Sequence, residues 1–330
     1  MALDLLMAGL GLVILLLAGD SLVKGAVNLS LRLGVPALIV SLTIVAFGTS
    51  APELLISIKA VLHDASGIAL GNVVGSNIAN VLLVLGIPAM ISVLHTEHCQ
   101  THRSYVTMLF ATVLFIGLAM IGPFTWVKGL ILLAVLGFML WDSAMAARDH
   151  RRSCCKPVEV APVEDEEPHN FEDDLEGVDP SLPGWKIAVF MVLGLIGLPL
   201  GADIFVDASV NIARDIGVSE TVIGLTLVAI GTSLPELATT VVAAIRKQAD
   251  VALGNVIGSN MFNLLAIIGV ASLVGDMSVP PELLRFDLWV MLASALVLVP
   301  FVFFRMNINR IWGAVFTALY AAYVLKVLLT

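Results

Sequence analysis

Long apolar runs separated by short polar stretches dominate the 330-residue chain. A helix of about 20 mostly apolar residues can cross a bilayer, and hydropathy predicts ten such runs. They cover approximately 3–31, 36–62, 67–94, 104–121 and 125–147, then 185–214, 219–246, 250–275, 286–304 and 308–329. Residues 148–184 interrupt the series with Pro157, Pro162, Pro168, Pro180 and Pro183. Ten acids and no Lys or Arg fall between 157 and 185, so this segment is expected to be a solvated, mostly disordered linker.

The two halves repeat each other. Asp20–Gly86 aligns without a gap to Asp203–Gly269, with roughly 28 of about 67 positions identical. GTSAPELL (48–55) matches GTSLPELA (231–238), and ALGNVVGSNIAN (69–80) matches ALGNVIGSNMFN (252–263). The predicted units are a first five-helix repeat over 1–147, the acidic linker over 148–184, and a second five-helix repeat over 185–330. Five spans is an odd number, so the second copy must enter the membrane upside down relative to the first. The expected fold is therefore all-α, with ten transmembrane helices in two inverted-topology repeats of five.

Composition supports a membrane protein. Hydrophobic residues make up 59% and charged residues 13%, about half the usual charged share of roughly 25%. That balance excludes a soluble globular domain, a disordered chain, a collagen-like fibre and a disulfide scaffold. The net charge of -9 comes from residues 157–185, whose ten acids have no Lys or Arg beside them, while the rest of the chain has 17 bases against 16 acids; no basic stripe suggests nucleic acid. The expected partners are small inorganic cations and the lipid bilayer. With the N-terminus outside, eleven basic residues fall on inside segments and five on outside ones. The positive-inside rule then places the acidic loop in the cytoplasm. The cell (inner) membrane of a prokaryote is the expected location.

Each repeat carries an interrupted span. Pro52 removes a backbone N–H and its ring clashes with the carbonyl of Gly48, four residues back; Pro235 and Gly231 repeat the arrangement. Freed backbone groups at membrane depth must be buried in protein or line a wet cavity, so each break marks a polar pocket near the midplane. Oxygen donors cluster there: Thr49, Ser50 and Glu53, with Thr232, Ser233 and Glu236. Thr49 and Glu53, four apart, are expected to share a helix face. The following span adds Ser76, Asn77 and Asn80, and its counterpart adds Ser259, Asn260 and Asn263. Such all-oxygen sets suit hard cations such as Ca²⁺ and Na⁺. Gly71, Gly75 and Gly86 are expected to allow close helix packing. Asp20, Lys24, Asp203 and Asp207 lie in the first span of each copy as weaker candidates for the ion path. His95, His98, Cys99 and His102 fall in one turn and read as a solvated loop. No HExxH, paired catalytic Asp or Ser-His constellation appears within the spans, so neither an enzyme nor a resident cofactor is expected.

Two midplane carboxylates would give an empty site a charge of about -2, and bare buried charges cost several kcal/mol each. One Ca²⁺ neutralises the pair, and Na⁺ ions or two protons do so equally well. Loads competing for the same oxygens give obligatory exchange, with the repeats rocking around a fixed site. H⁺/Ca²⁺ exchange needs the same carboxylates but no sodium sites, and the paired Thr-Ser donors favour sodium. A cation channel would usually be a symmetric oligomer with a continuous filter, against which an inverted repeat in one chain argues.

The doubled G-T-S-x-P-E and G-S-N-x-x-N motifs closely resemble the α-repeats of the Ca²⁺:cation antiporter superfamily, and the chain looks most like prokaryotic sodium/calcium exchangers. That resemblance implies Na⁺-coupled Ca²⁺ antiport. It implies that Glu53 and Glu236 are the central cation ligands. It implies that Thr49, Ser50, Thr232 and Ser233 supply oxygens to flanking sodium sites, and that Ser76, Asn80, Ser259 and Asn263 complete the shell. Some family members, potassium-dependent exchangers among them, carry Asp where this chain has Asn263; Asn there implies potassium independence.

Overall fold

A computed structural model describes residues 1–96, 101–154, 182–217 and 231–329. All regular elements among these residues are helices. In chain order they are α1 (Ala2–Leu33), α2 (Ala37–Thr49), α3 (Ala51–Leu62), α4 (Ser66–Ile91), α5 (His102–Met120) and α6 (Trp126–Cys154). After the linker come α7 (Gly184–Asp215), α8 (Leu234–Ile245), α9 (Ala249–Val274), α10 (Leu283–Phe303) and α11 (Arg310–Leu329).

Eight of these helices are long and apolar enough to cross a membrane, or nine if α2 and α3 form one broken span bent by 43°. α8 is shorter than a span, and residues 218–230, which hold most of the first half of the expected seventh span, lie outside the described residues. The acidic run of the linker and Cys155 do too. Helix α6 continues to Cys154.

Burial sorts the helices by place. In α4 and α9 78% and 89% of the most apolar stretch is buried, against 11% in α6 and 17% in α11. The two motif-bearing helices therefore form the centre, and the peripheral ones leave Phe138, Trp141, Ile311 and Leu319 exposed, as lipid-facing surfaces do. α1 and α7 form a second layer around Leu15, Leu22, Ala26 and Leu198. Their backbones nearly touch: a Cβ on Gly11 would lie 2.6 Å from the backbone nitrogen of Phe205. Two short antiparallel bridges, Leu94 with Ile308 and Phe124 with Met277, tie loops of one half to loops of the other.

α9 lies against α2 at similarly close range. Ser41 Oγ donates to the carbonyl of Val251 at 2.6 Å. A Cβ on Gly258 would meet the carbonyl oxygen of Leu42 at 2.4 Å, and backbone cannot move aside. Gly258→Val is thus expected to separate the two helices at an overpacking cost of about 1–3 kcal/mol. The melting temperature of the purified protein should fall by several degrees in a scan of soluble fraction against temperature; an unchanged midpoint would show that the contact tolerates a side chain.

Candidate functional site

Both breaks fall where the sequence places them. Ser50 caps α3 with φ -84° and ψ 5°, and Ser233 caps α8 with φ -90° and ψ 5°. Pro52 and Pro235 sit in the first turns of α3 and α8, where a proline costs no helical hydrogen bond. Glu53 and Glu236 follow in the same turns, so each carboxylate lies at a helix amino end, which favours negative charge. The expectation of one shared face for Thr49 and Glu53 needs correction. Thr49 closes α2 and Glu53 opens α3, with the bend between them, so helical spacing does not relate the two. Both are nonetheless 1% exposed.

The donors converge across the halves. Ser50 Oγ donates to Glu236 Oε1 at 3.3 Å. Thr49 Oγ1 lies 3.4 Å from Ser259 Oγ and donates to Asn255 Oδ1 at 3.3 Å. Glu53 and Glu236 are both buried, 1% and 0% exposed. Ser76 and Thr232 stand on the wall of one cavity of about 520 Å³. Ser233 is buried at the second break, and its Oγ has no hydrogen-bond partner.

Four asparagines form a matched set. Asn80 Nδ2 donates to Asn260 Oδ1 at 3.1 Å, and Asn263 Nδ2 donates to Asn77 Oδ1 at 3.4 Å. Asn77 and Asn260 in turn donate to Met291 Sδ and Met108 Sδ, each at 3.7 Å. Every partner in one set is the repeat counterpart of a partner in the other. With their nitrogens so engaged, Asn80 and Asn263 keep Oδ1 buried and without a partner. The same holds for Oε2 of Glu53 and of Glu236. Buried polar atoms are ordinarily hydrogen-bonded, and here four bare oxygens, two of them on carboxylates, belong to residues of the two doubled motifs.

Other sequence candidates fall elsewhere. Asp20 pairs with Lys24 at 2.9 Å and accepts from Arg246 Nε at 2.6 Å, tying α1 to the end of α8. Asp203 and Asp207 are exposed on α7. Gly86 packs closely against α11 near Thr317, whereas Gly71 and Gly75 line the cavity instead. His98 and Cys99 lie outside the described residues, and His102 packs edge-on against Phe303. Among the described residues no group of three or more His, Cys, Asp or Glu could hold a metal, in keeping with a donor set of amides and hydroxyls around only two acids. Sequence reading passed over Asn72 and Asn255, although both stand inside the doubled ALGN motif.

Comparison with known proteins bears on what such a site does. The profile of the family described as "Sodium/calcium exchanger protein" matches residues 3–143 and 186–329. The putative antiporter CaxA of Alkalimonas amylolytica is 33% identical over 317 residues, covering 95% of each chain. The sodium/calcium exchanger MaX1 of Methanosarcina acetivorans is 35% identical, again over 95% of each. Among solved structures, the sodium-calcium exchanger NCX_Mj soaked with 2.5 mM Na⁺ and 1 mM Sr²⁺ superposes with a TM-score of 0.79 at 31% identity, over 98% of this chain and 97% of that one.

Proposed function

The chain belongs to the sodium/calcium exchanger protein family, and on that premise we propose that it exchanges Ca²⁺ for Na⁺ across a membrane by alternating access. The observation that carries the proposal is the set of buried oxygens without partners: Glu53 Oε2, Glu236 Oε2, Asn80 Oδ1 and Asn263 Oδ1. Oxygens alone, two of them anionic, make a shell for a hard cation. Thr49, Ser50, Thr232 and Ser233 would add hydroxyl and backbone oxygens for sodium on either side of the carboxylates, and Ser76 and Ser259 would close the shell.

Charge then governs the cycle. Glu53 and Glu236 are buried together, and bringing bare charges through a closed, low-dielectric state costs several kcal/mol per ion. One Ca²⁺ or the equivalent in Na⁺ removes that cost. The protein changes face only when loaded, which couples the two fluxes. Ten spans in two inverted repeats, 1–147 and 185–330 joined by a cytoplasmic acidic linker at 148–184, supply two similar arrangements that can interchange. Matched contacts in the two halves, such as the paired asparagines, support this reading. The reading places the N-terminus outside and the protein in the cell membrane of a prokaryote.

The test is ⁴⁵Ca²⁺ uptake into proteoliposomes preloaded with Na⁺, with K⁺, or at a pH differing from the outside. Uptake is expected only with an outward Na⁺ gradient. Uptake driven by the pH difference alone would replace the proposal with H⁺/Ca²⁺ exchange, and flux that needs no counter-gradient would point to a channel.

A further inference from the structure

Two side-chain relays cross the centre of the molecule, and each ends on sulfur. In the first, Asn80 Nδ2 of α4 donates to Asn260 Oδ1 of α9 at 3.1 Å, and Asn260 Nδ2 donates to Met108 Sδ of α5 at 3.7 Å. In the second, Asn263 Nδ2 of α9 donates to Asn77 Oδ1 of α4 at 3.4 Å, and Asn77 Nδ2 donates to Met291 Sδ of α10 at 3.7 Å. All six side chains are buried, the most exposed at 4%. Met108 and Met291 stand 183 positions apart, as Asn77 and Asn260 do, so the two relays match member for member.

A pair of asparagines has no preferred direction of its own. Each amide carries a carbonyl oxygen and an NH₂ group, so the bond between them can run either way, and reversing it turns both amides over. The third member breaks the tie. A thioether sulfur accepts weakly and has no hydrogen to donate. It therefore takes an N–H from Asn260 or Asn77 and leaves the oxygen of that amide to face Asn80 or Asn263. That fixes which end the last amide presents: its nitrogen is engaged, and its Oδ1 stays buried without a partner. A hydroxyl in place of sulfur could serve either direction. A reversed relay would offer an N–H where a hard cation needs oxygen.

We infer that Met108 and Met291 are positioning residues for cation binding: by giving each relay its direction, they hold the carbonyl oxygens of Asn80 and Asn263 ready for the ion. The inference rests on the reading of those two oxygens as cation ligands given above. It draws α5 and α10 into the site, although neither helix carries any part of the doubled motifs. Both methionines act through an asparagine of the central helices and not on the ion itself.

The test uses Met108→Leu, Met291→Leu and the double variant. Leucine keeps the volume and removes the acceptor, a swap that cores tolerate well. Without the sulfur the two directions of a relay become nearly equal, so its competent fraction falls to about a half or less and apparent affinity falls with it. Half-saturating Ca²⁺ for Na⁺-driven ⁴⁵Ca²⁺ uptake should rise at least about twofold in either single variant, and the two factors should multiply in the double. Maximal rate and melting temperature should stay at the parent values, which separates positioning from packing. Met139→Leu, at a buried methionine of the same core, should leave all three unchanged. A smaller rise than twofold, or one matched by a lost maximal rate or a lowered melt, overturns the inference. Equilibrium ⁴⁵Ca²⁺ binding to the purified proteins in detergent repeats the comparison without any gradient. A parent that binds Ca²⁺ but shows no Na⁺-driven uptake would sink the exchange reading, and the binding ratios would still judge the relays. A parent that binds none would sink both.

Discussion

Glu53→Gln or Glu236→Gln is expected to abolish Na⁺-driven Ca²⁺ uptake while leaving the protein folded. The two carboxylates are 1% and 0% exposed, and each keeps one oxygen without a partner. Glutamine has the same length and shape, and its amide oxygen can still accept from Ser50, as Glu236 Oε1 does at 3.3 Å. Charge is what the change removes. A divalent ion facing one carboxylate is left with an uncompensated buried charge, and breaking a buried pair in that way costs about 3–5 kcal/mol. That corresponds to a loss of roughly two to three and a half orders of magnitude in affinity. Losing a buried charge should not lower the melting temperature, since a bare carboxylate is itself destabilising. The measurement is the initial ⁴⁵Ca²⁺ uptake rate beside a thermal melt of each variant. Uptake near the wild-type rate in either variant would take that residue out of the site, and loss of uptake together with a collapsed melt would assign it a structural role.

Much of this arrangement is legible in the sequence because it repeats. The matching of GTSAPELL to GTSLPELA fixes the two breaks, and proline chemistry explains why the chain bends at Ser50 and why Ser233 caps a new helix. A carboxylate held in the middle of an apolar run has few reasons to be there besides function, so Glu53 and Glu236 stand out by elimination. What does not follow from spacing is anything that crosses the bend. Helical periodicity puts Thr49 beside Glu53, but the 43° bend cuts that relation, and Thr49 instead reaches Asn255 and Ser259 on α9. Asn77 and Asn260 read simply as further donors. Their use, holding the nitrogens of Asn263 and Asn80 so that two amide oxygens stay bare, exists only once α4 and α9 are packed together.

Asn263→Asp should convert an exchanger indifferent to K⁺ into one that requires K⁺ or acid. Asn263 is fully buried, its Nδ2 donates to Asn77 Oδ1 at 3.4 Å, and its Oδ1 has no partner. Substitution adds a third carboxylate to the two of Glu53 and Glu236, so one Ca²⁺ leaves a net charge of about -1 in the site, costly by the same desolvation argument. It also removes the donor to Asn77, whose oxygen then faces another acceptor at a cost of about 1–3 kcal/mol. Two remedies exist, and they differ in what they restore. A bound monovalent cation supplies the missing charge but leaves Asn77 Oδ1 without an N–H. A proton on the new carboxylate supplies the charge and also an O–H that can donate to Asn77, recovering both losses. Acid should therefore rescue the variant more fully than K⁺, and flux in the variant should rise as pH falls over a range where wild-type flux stays level. The measurement is Na⁺-driven Ca²⁺ uptake with and without K⁺ at two pH values for both proteins. A wild type that already needs K⁺ would show that Asn263 does not set cation choice. A variant that matches wild type under all four conditions would place the side chain off the ion path, and the bare Oδ1 would then need another explanation.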